Sequence, residues 1–309
     1  MADLKTAPGE AHEAVDVSVV LPVYNEAGHL VREIDRVRAA LDASPYRYEI
    51  VAVDDGSTDG SGELLAGIPG IRLLRFATNR GSGASRKVGT RAARGRVVVW
   101  TDVDMSYPND EIPRLVKELD GYDQVVGART SEQGTVKALR VPAKWLIAKL
   151  ASYLAETRIP DLNSGLRAFR RDVALQYLHL LPAGFSCVTT MTMTFLANGY
   201  SVRFVPIDYA PRAGQSKFHW WVDTRRYVRQ VLRMVLLYNP LKVFLPFGFT
   251  LLTLGIAKLA FDLTVHHFHV AADTLVILGA AVSVIMLGVL ADLLVLVSRS
   301  RDEVDPATL

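Results

Sequence analysis

Asp102-Val103-Asp104 closes the run Val97-Val98-Val99-Trp100-Thr101, so two carboxylates stand one residue apart where an apolar strand ends. Along an extended strand that spacing sends both side chains to one face. Two carboxylates held side by side repel unless a cation lies between them. A hard divalent ion takes one or two such groups and completes its shell with phosphate oxygens and water, so the pair suits a metal–nucleotide substrate. Taken alone, Asp-x-Asp equally describes a solvated turn. Further polar clusters also follow apolar runs: Pro22-Val23-Tyr24-Asn25-Glu26 after "VSVVL", and Asp54-Asp55-Gly56-Ser57 after "YEIVAV". Basic groups come later, with Arg129 in "GART", Arg167 in "IPDLNSGLRAFRR", and Arg212, Ser216 and Lys217 in "YAPRAGQSKF".

The elements that must position these groups are legible from periodicity. "VSVVLPV", "YEIVAVDD", "IRLLRF" and "GRVVVWTD" read as strands, and "DQVVGA" as the next. "EAGHLVREIDRVRAALDA" reads as an amphipathic helix with Leu30, Ile34, Val37 and Leu41 on one face, and "GASRKVGTRAARG" as a second helical segment. Near-continuous apolar strands joined by helices predict an α/β domain with a mostly parallel sheet covered on both faces. Ligands of such sheets gather at the carboxyl ends of the strands. All three acidic or polar clusters fall there, so they converge on one rim.

The chain has 309 residues, half of them apolar, and a formal net charge of +3, too small to indicate a nucleic-acid binder. Its single cysteine, Cys187, excludes an internal disulfide. Residues 1–16 lack the apolar core of a signal peptide and read as a disordered lead-in, followed by a domain over 17–215. After Tyr238 the character changes. Residues 241–263 and 274–297 are each about as long as the ~20 apolar residues that cross a bilayer. They predict a two-helix hairpin within 240–298, followed by a tail over 299–309. Arg225, Arg226, Arg229 and Arg233 precede the first span and Arg299 and Arg301 follow the second, while the linker "TVHHFHVAAD" has neither lysine nor arginine. That asymmetry places the domain and both termini in the cytoplasm. Lys258 and Asp292, within the spans, read as snorkelling side chains near opposite ends. Residues 216–239, with Phe218, Trp221, Val222, Val228, Val231, Leu232 and Val235 at helical spacing, predict an amphipathic helix lying in the headgroup layer.

The ordered series "VVLPVYNE", "VAVDDGSTDGS", "NRGSGASRKVGTRAARG" and "VVVWTDVD" resembles family 2 glycosyltransferases of the GT-A fold. It is most similar to the polyprenyl-phosphate group that contains dolichyl-phosphate mannose synthase and the bactoprenol glucosyltransferases. The resemblance runs from about Val17 to the end of the chain and implies a Rossmann-like catalytic domain, an interfacial helix and a transmembrane hairpin. It implies that Pro22, Tyr24, Asn25 and Glu26 line the base and ribose pocket, that Asp54 and Asp55 help hold the base, and that Gly56-Ser57 makes the tight turn. Gly81 falls in the family's glycine segment, which often reads Gly-Lys-Gly and here reads Gly81-Ser82-Gly83, so the part played by that lysine is either absent or taken by Arg80. Asp102 and Asp104 match the metal pair, for Mg²⁺ or Mn²⁺. Where the family often has a glutamine ligand this chain has Ser106, a shorter ligand that water can replace.

On the acceptor side the resemblance implies Arg129 beside the reacting phosphates, Asp161, Ser164, Gly165 and Arg167 in the acceptor motif, and Arg212, Ser216 and Lys217 gripping a phosphate with Arg140. The implied activity is inverting transfer of one hexose, from UDP-glucose or GDP-mannose, to a polyprenyl phosphate of the membrane. Such an acceptor is already largely dianionic at neutral pH, because a monoester's second pKa is ~6, so it needs no general base. Asp161 then organises arginines, with a base role as the alternative. Oligomeric state, a homo-oligomer among the options, stays open. A processive polysaccharide synthase competes through the near-motif Gln230-Val-Leu-Arg233-Met234, yet its tryptophan is missing and two spans do not enclose a polymer channel. A non-catalytic nucleotide sensor on the same fold is the rival from another class. No Gly-x-x-x-x-Gly-Lys-Ser/Thr loop supports a kinase. His219 and the trio His266, His267 and His269 read as surface and loop residues.

Overall fold

Seven strands form one sheet in the order β3-β2-β1-β4-β6-β5-β7. The computed structural model describes residues 15–130, 159–184, 186–210, 239–265 and 270–304, with side chains to 297 in the last segment. Strands β1 (Val17–Val23), β2 (Tyr48–Asp54), β3 (Ile71–Arg75) and β4 (Val97–Trp100) pair in parallel. β5 (Gln124–Arg129) and β7 (Val202–Ile207) are also parallel to each other. Between β4 and β5 lies β6 (Arg167–Arg170), antiparallel to both. The mostly parallel sheet is therefore as expected, and the reversed strand is the feature that periodicity does not announce.

Both faces of the sheet are buried because successive side chains alternate. Val17, Val19 and Leu21 of β1 pack with Leu30, Ile34, Val37 and Leu41 of α1 (Leu30–Asp42) and with Ile112 and Leu115 of α4 (Ile112–Lys117). Val20 points the other way, to Val51, Val98, Trp100, Phe169 and Phe195. Trp100 and Phe169 meet edge to face with centroids 5.0 Å apart. Among the described residues, α3 (Ser82–Ala92), α5 (Arg171–Tyr177) and α6 (Cys187–Ala197) cover that second layer. A short helix, α2 (Ser61–Gly67), follows β2. The expected first helix begins four residues later than its sequence pattern, at Leu30. Residues 24–29 form a rim loop instead, with Asn25 in the left-handed region at φ 55°.

A separate unit contains α7 (Leu241–Val265) and α8 (Ala272–Val304). Leu241–Val265 and Ala272–Val297 are long and apolar enough to cross a membrane. Glycines let the pair approach: a Cβ at Gly255 would lie 2.6 Å from Leu278, and Gly248 and Gly288 likewise face Ile285 and Phe244. These pairings run in opposite directions, as a hairpin requires. Lys258 has partners that the snorkelling reading leaves out, Asp262 at 3.4 Å and Asp273 at 3.1 Å. Asp262 is 1% exposed and also accepts from Thr274 Oγ1 at 2.5 Å and Ala271 N at 3.2 Å. The expected interfacial helix over 216–239 lies outside the described residues up to 238, as do His219 and His266, His267 and His269.

Candidate active site

The rim is built where β1 and β2 end. Asn25 N donates to Ser57 Oγ (3.0 Å) and Asn25 Oδ1 accepts from Thr58 N (2.8 Å). Glu26 N donates to Ser61 Oγ and Ala27 N to Asp59 Oδ2, both at 3.0 Å. The Tyr24-Asn25-Glu26 loop is thereby stitched to residues 57–61, and Pro22 sits in β1 opposite Val53. Asp54 Oδ1 accepts from Ser57 N (2.9 Å) and Oδ2 from Arg75 Nε (3.2 Å). A cavity of about 410 Å³ opens here, lined by Asp54, Gly56, Ser57, Thr58, Arg75 and Phe76. Its size and its mixed aromatic and polar lining suit a nucleoside base.

Asp55 faces the next loop and accepts from Arg80 N (2.7 Å) and Gly81 N (2.9 Å). Burial raises its carboxyl pKa, against the pull of those two amides. Arg80 itself stacks on Phe76 at 4.8 Å. The glycines of this segment have a packing reason. Gly81 has φ 93°, and a Cβ there would lie 2.6 Å from Ala183 O, while one at Gly83 would strike the carbonyls of Pro182 and Gly184. Ala84 N donates to Ala183 O at 3.0 Å, which pins the start of α3 against that backbone.

Beyond β4, Met105 adopts φ 64° and turns the chain between the acidic pair and Ser106. Asp102 Oδ1 lies 2.6 Å from Arg86 Nη2. Asp104 Oδ1 accepts from Ser106 N at 3.1 Å and from the Ser106 hydroxyl. Ser106 thus supports Asp104 through its proton, a use that the expected role as a metal ligand did not include. Behind the turn, Asn109 Nδ2 donates to Glu33 Oε2 (2.6 Å) and to Asp102 O (3.2 Å), and Asn109 Oδ1 accepts from Thr101 Oγ1 (2.5 Å). No group of three or more His, Cys, Asp or Glu among the described residues forms a closed metal cage. Two carboxylates, with the Asp102 side chain one quarter exposed, fit an ion that draws its other ligands from a diphosphate and water.

The segment expected to serve the acceptor arrives through the reversed strand. Arg167 of β6 stands opposite Trp100 of β4, so residues 161–166 emerge beside the acidic turn. A Cβ on Gly165 would lie 2.8 Å from Asp102 Oδ2 and 3.2 Å from the Tyr107 ring. Gly165 N donates to Tyr107 Oη at 2.6 Å. Burial raises the Tyr107 pKa. Its ring meets Tyr209 at 5.1 Å, and the Arg129 guanidinium lies 5.1 Å from the Tyr209 ring. Arg129 Nε and Nη2 donate to the two oxygens of Asp161 at 2.7 and 2.9 Å. Burial by itself would raise the Asp161 pKa, but the Arg129 bonds and charge, with the amides of Asn163 and Arg129, hold it below the usual carboxylate value.

Ser164 and Arg167 lie inside the domain, both 0% exposed, not at the rim where phosphate contacts were expected. Arg167 donates to Val188 O (2.6 Å), Thr192 Oγ1 (3.0 Å) and Ser164 O, which ties residues 164–167 to α6. Burial, and after it the charge of Arg86, lowers the Arg167 pKa to about 10. Arg140, Arg212, Ser216 and Lys217 fall outside the described residues. Motif and spacing did not single out Arg86, Glu33, Asn109 or Tyr107. Glu33 carried a signal: a carboxylate three residues after Leu30 and four before Val37 sits on the buried stripe of α1. Arg86 carried a weaker one, lying on α3 at helical spacing from Gly83, Gly89 and Thr90.

A family model described as Glycosyl transferase family 2 matches residues 18–178, and one described as GtrB C-terminal hairpin matches residues 239–295. An undecaprenyl-phosphate 4-deoxy-4-formamido-L-arabinose transferase of Aeromonas hydrophila is 36% identical over 212 residues, 65% of this chain and 62% of its own length. The chain thus spans less than two thirds of that relative. A protein of the same name from Enterobacter sp. is 33% identical over 251 residues, covering 77% of this chain and 73% of its own. Glucosyl-3-phosphoglycerate synthase from Mycobacterium tuberculosis, solved with Mn²⁺, uridine diphosphate and glucosyl-3-phosphoglycerate, shares the fold. Its TM-score is 0.58 at 22% identity, over 71% of this chain and 80% of that one.

Proposed function

The chain belongs to glycosyl transferase family 2, and from that premise we propose that it moves one sugar from a nucleotide diphosphate sugar to a polyprenyl monophosphate at a membrane. The observation that carries the reading is the closeness of Gly165, in the acceptor motif, to Asp102, in the acidic pair. Donor and acceptor groups then meet at one point of the rim. The membrane hairpin, and the undecaprenyl phosphate in the names of the relatives, support a lipid acceptor.

In this reading the cavity beside Asp54 and Phe76 takes the base, with Pro22 and the Tyr24–Glu26 loop next to its Ser57–Thr58 wall, and Asp55 holds the Arg80–Gly81 loop. Asp102 and Asp104 would hold Mg²⁺ or Mn²⁺, with Ser106 orienting Asp104. When bound, the ion neutralises the nucleoside diphosphate as it departs. An acceptor phosphate oxygen attacks the anomeric carbon as the bond from that carbon to the diphosphate oxygen breaks, which inverts the centre. Asp161 is committed to Arg129, and its depressed basicity makes it an organiser of that arginine rather than a proton acceptor. The acceptor is already anionic and gives up no proton. Arg129, with Arg140, Arg212, Ser216 and Lys217, holds its phosphate. Ser164 and Arg167 shape the loop from within.

The basic flanks of the hairpin support a cytoplasmic domain and termini. Glucose and mannose are the sugars that motif resemblance favours, and the relatives' names favour a formamido-arabinose. The test incubates membranes carrying the protein with undecaprenyl phosphate and labelled UDP-glucose, GDP-mannose or UDP-4-deoxy-4-formamido-L-arabinose. One lipid-phosphate-sugar detected by mass analysis, and lost in Asp104→Ala, is expected. A long polymer, or nucleotide binding with no lipid product from any donor, would reject the reading.

A further inference from the structure

Arg86 is 3% exposed, and its Nη2 lies 2.6 Å from Asp102 Oδ1. The guanidinium lies 5.8 Å from the Trp100 ring. Its backbone is fixed as well, since Thr90 Oγ1 donates to Arg86 O (2.7 Å) and Trp100 Nε1 donates to Thr90 Oγ1 (2.9 Å). A second guanidinium, that of Arg167, is fully buried nearby and feels the charge of Arg86. The described bonds of Arg167 go to carbonyl and hydroxyl oxygens. The acidic pair therefore works beside buried, fixed positive charge. Asp102 already has one oxygen engaged by a cation that burial shields from solvent screening.

We propose that Arg86 makes divalent-ion binding depend on the nucleotide: it pre-neutralises Asp102, so the bare ion is held weakly, and the negative diphosphate offsets the guanidinium and lets ion and nucleotide bind together. Unlike charges at this range, with burial, interact strongly enough to change an affinity by an order of magnitude or more. The consequence for the enzyme is economy of states. The site fills as a metal–nucleotide unit and does not sit loaded with metal alone. The inference rests on the donor-site reading above, and a purely structural role for Arg86 predicts the opposite sign. If Arg86 only positioned Asp102, removing it would weaken the bare ion.

The experiment titrates Mn²⁺ into the full chain in detergent, following free Mn²⁺ by electron paramagnetic resonance, alone and with UDP or GDP. Wild type should bind Mn²⁺ at least about tenfold tighter with one of the diphosphates than without. Arg86→Gln and Arg86→Met, which remove the charge, should bind the bare ion roughly tenfold tighter than wild type and lose a matching part of the diphosphate effect. Arg86→Lys should keep the wild-type pattern. Bare-ion binding in a folded charge-removing variant that is unchanged or weaker would overturn the role of Arg86. So would wild-type binding that the diphosphate leaves unaltered. Absence of Mn²⁺ binding under all three conditions would instead reject the donor site itself.

Discussion

Asp161 grips Arg129 at three points: Oδ2 accepts from Nε at 2.7 Å and from the backbone amide at 3.2 Å, and Oδ1 accepts from Nη2 at 2.9 Å. Their side chains are 7% and 11% exposed, so solvent screens the pair little. Removing the carboxylate takes its charge away from a mostly buried guanidinium. Asp161→Asn is expected to cost about 3–5 kcal/mol, read from urea unfolding, and Arg129→Met added to it should restore part of that loss. The pH dependence has a definite sign. The folded pKa of Asp161 is lowered, so its stabilisation is present above the unfolded value of ~3.9 and is lost as pH falls through the folded value. The gap between wild type and Asp161→Asn should thus be full at pH 7, begin to narrow near about pH 4 and close only below the folded value. An equal gap at both ends would show that the ion pair is not its source.

Gly165→Ala tests the junction of the two motifs. The new methyl would stand 2.8 Å from Asp102 Oδ2, and the carboxylate must move because Tyr107 blocks the other side at 3.2 Å. Turnover should fall roughly ten- to a hundredfold, with weaker binding of the metal–nucleotide pair. A melting point within a few degrees of wild type, measured in parallel, separates this from unfolding. Unchanged turnover would mean that the contact does not position Asp102.

Asn109→Ala removes the link between Glu33, Thr101 and the Asp102 carbonyl. Glu33 is 1% exposed and would lose its Asn109 donor. A loss of about 2–3 kcal/mol is expected by chemical denaturation, because a buried carboxyl acceptor is left short of a bond. The Michaelis constant for the nucleotide sugar should rise as well. Glu33→Gln with Asn109 intact should be milder, since an amide oxygen can still accept.

Cys187 is fully buried, and burial pushes its thiol up to about 11 despite the opposing charges of Arg86, Arg167 and Lys87. The native protein should resist iodoacetamide at pH 8 for hours, and should be alkylated within minutes in denaturant. Mass spectrometry reads the difference. Native labelling at the denatured rate would contradict this packing. The same inertness makes the wild-type chain a suitable background for single-cysteine probes on either side of the bilayer, which would test the orientation of the hairpin.

Much of this architecture is written locally. The stripe Leu30, Ile34, Val37 and Leu41 is buried as its 3.6-residue period requires, and the short apolar runs became β1 to β4. Strand ends carrying Asn25, Asp54 and Asp102 were legible because apolar runs stop there. β6 was not, since "RAFR" is short and charged at both ends and owes its extended form to β4 and β5 on either side. Arg167 looks like a surface ligand in sequence, yet two of its partners are oxygens of α6 that lie 21 and 25 residues away. Arg86 and Asp102 are likewise 16 residues apart, so only the packing of α3 against β4 reveals them as a pair.

The reversal of β6 has a consequence for how such a protein can diversify. Trp100 faces Arg167 and Val97 faces Arg170 across four rungs. Slipping that ladder by one residue would turn Phe169 out of its layer, and slipping it by two would carry Gly165 off the carboxylate. On the proposed reading, the segments around Asp102 and Gly165 are thus geared to each other and resist being swapped as cassettes, so a change of substrate preference would have to come from loops at the gear's margin.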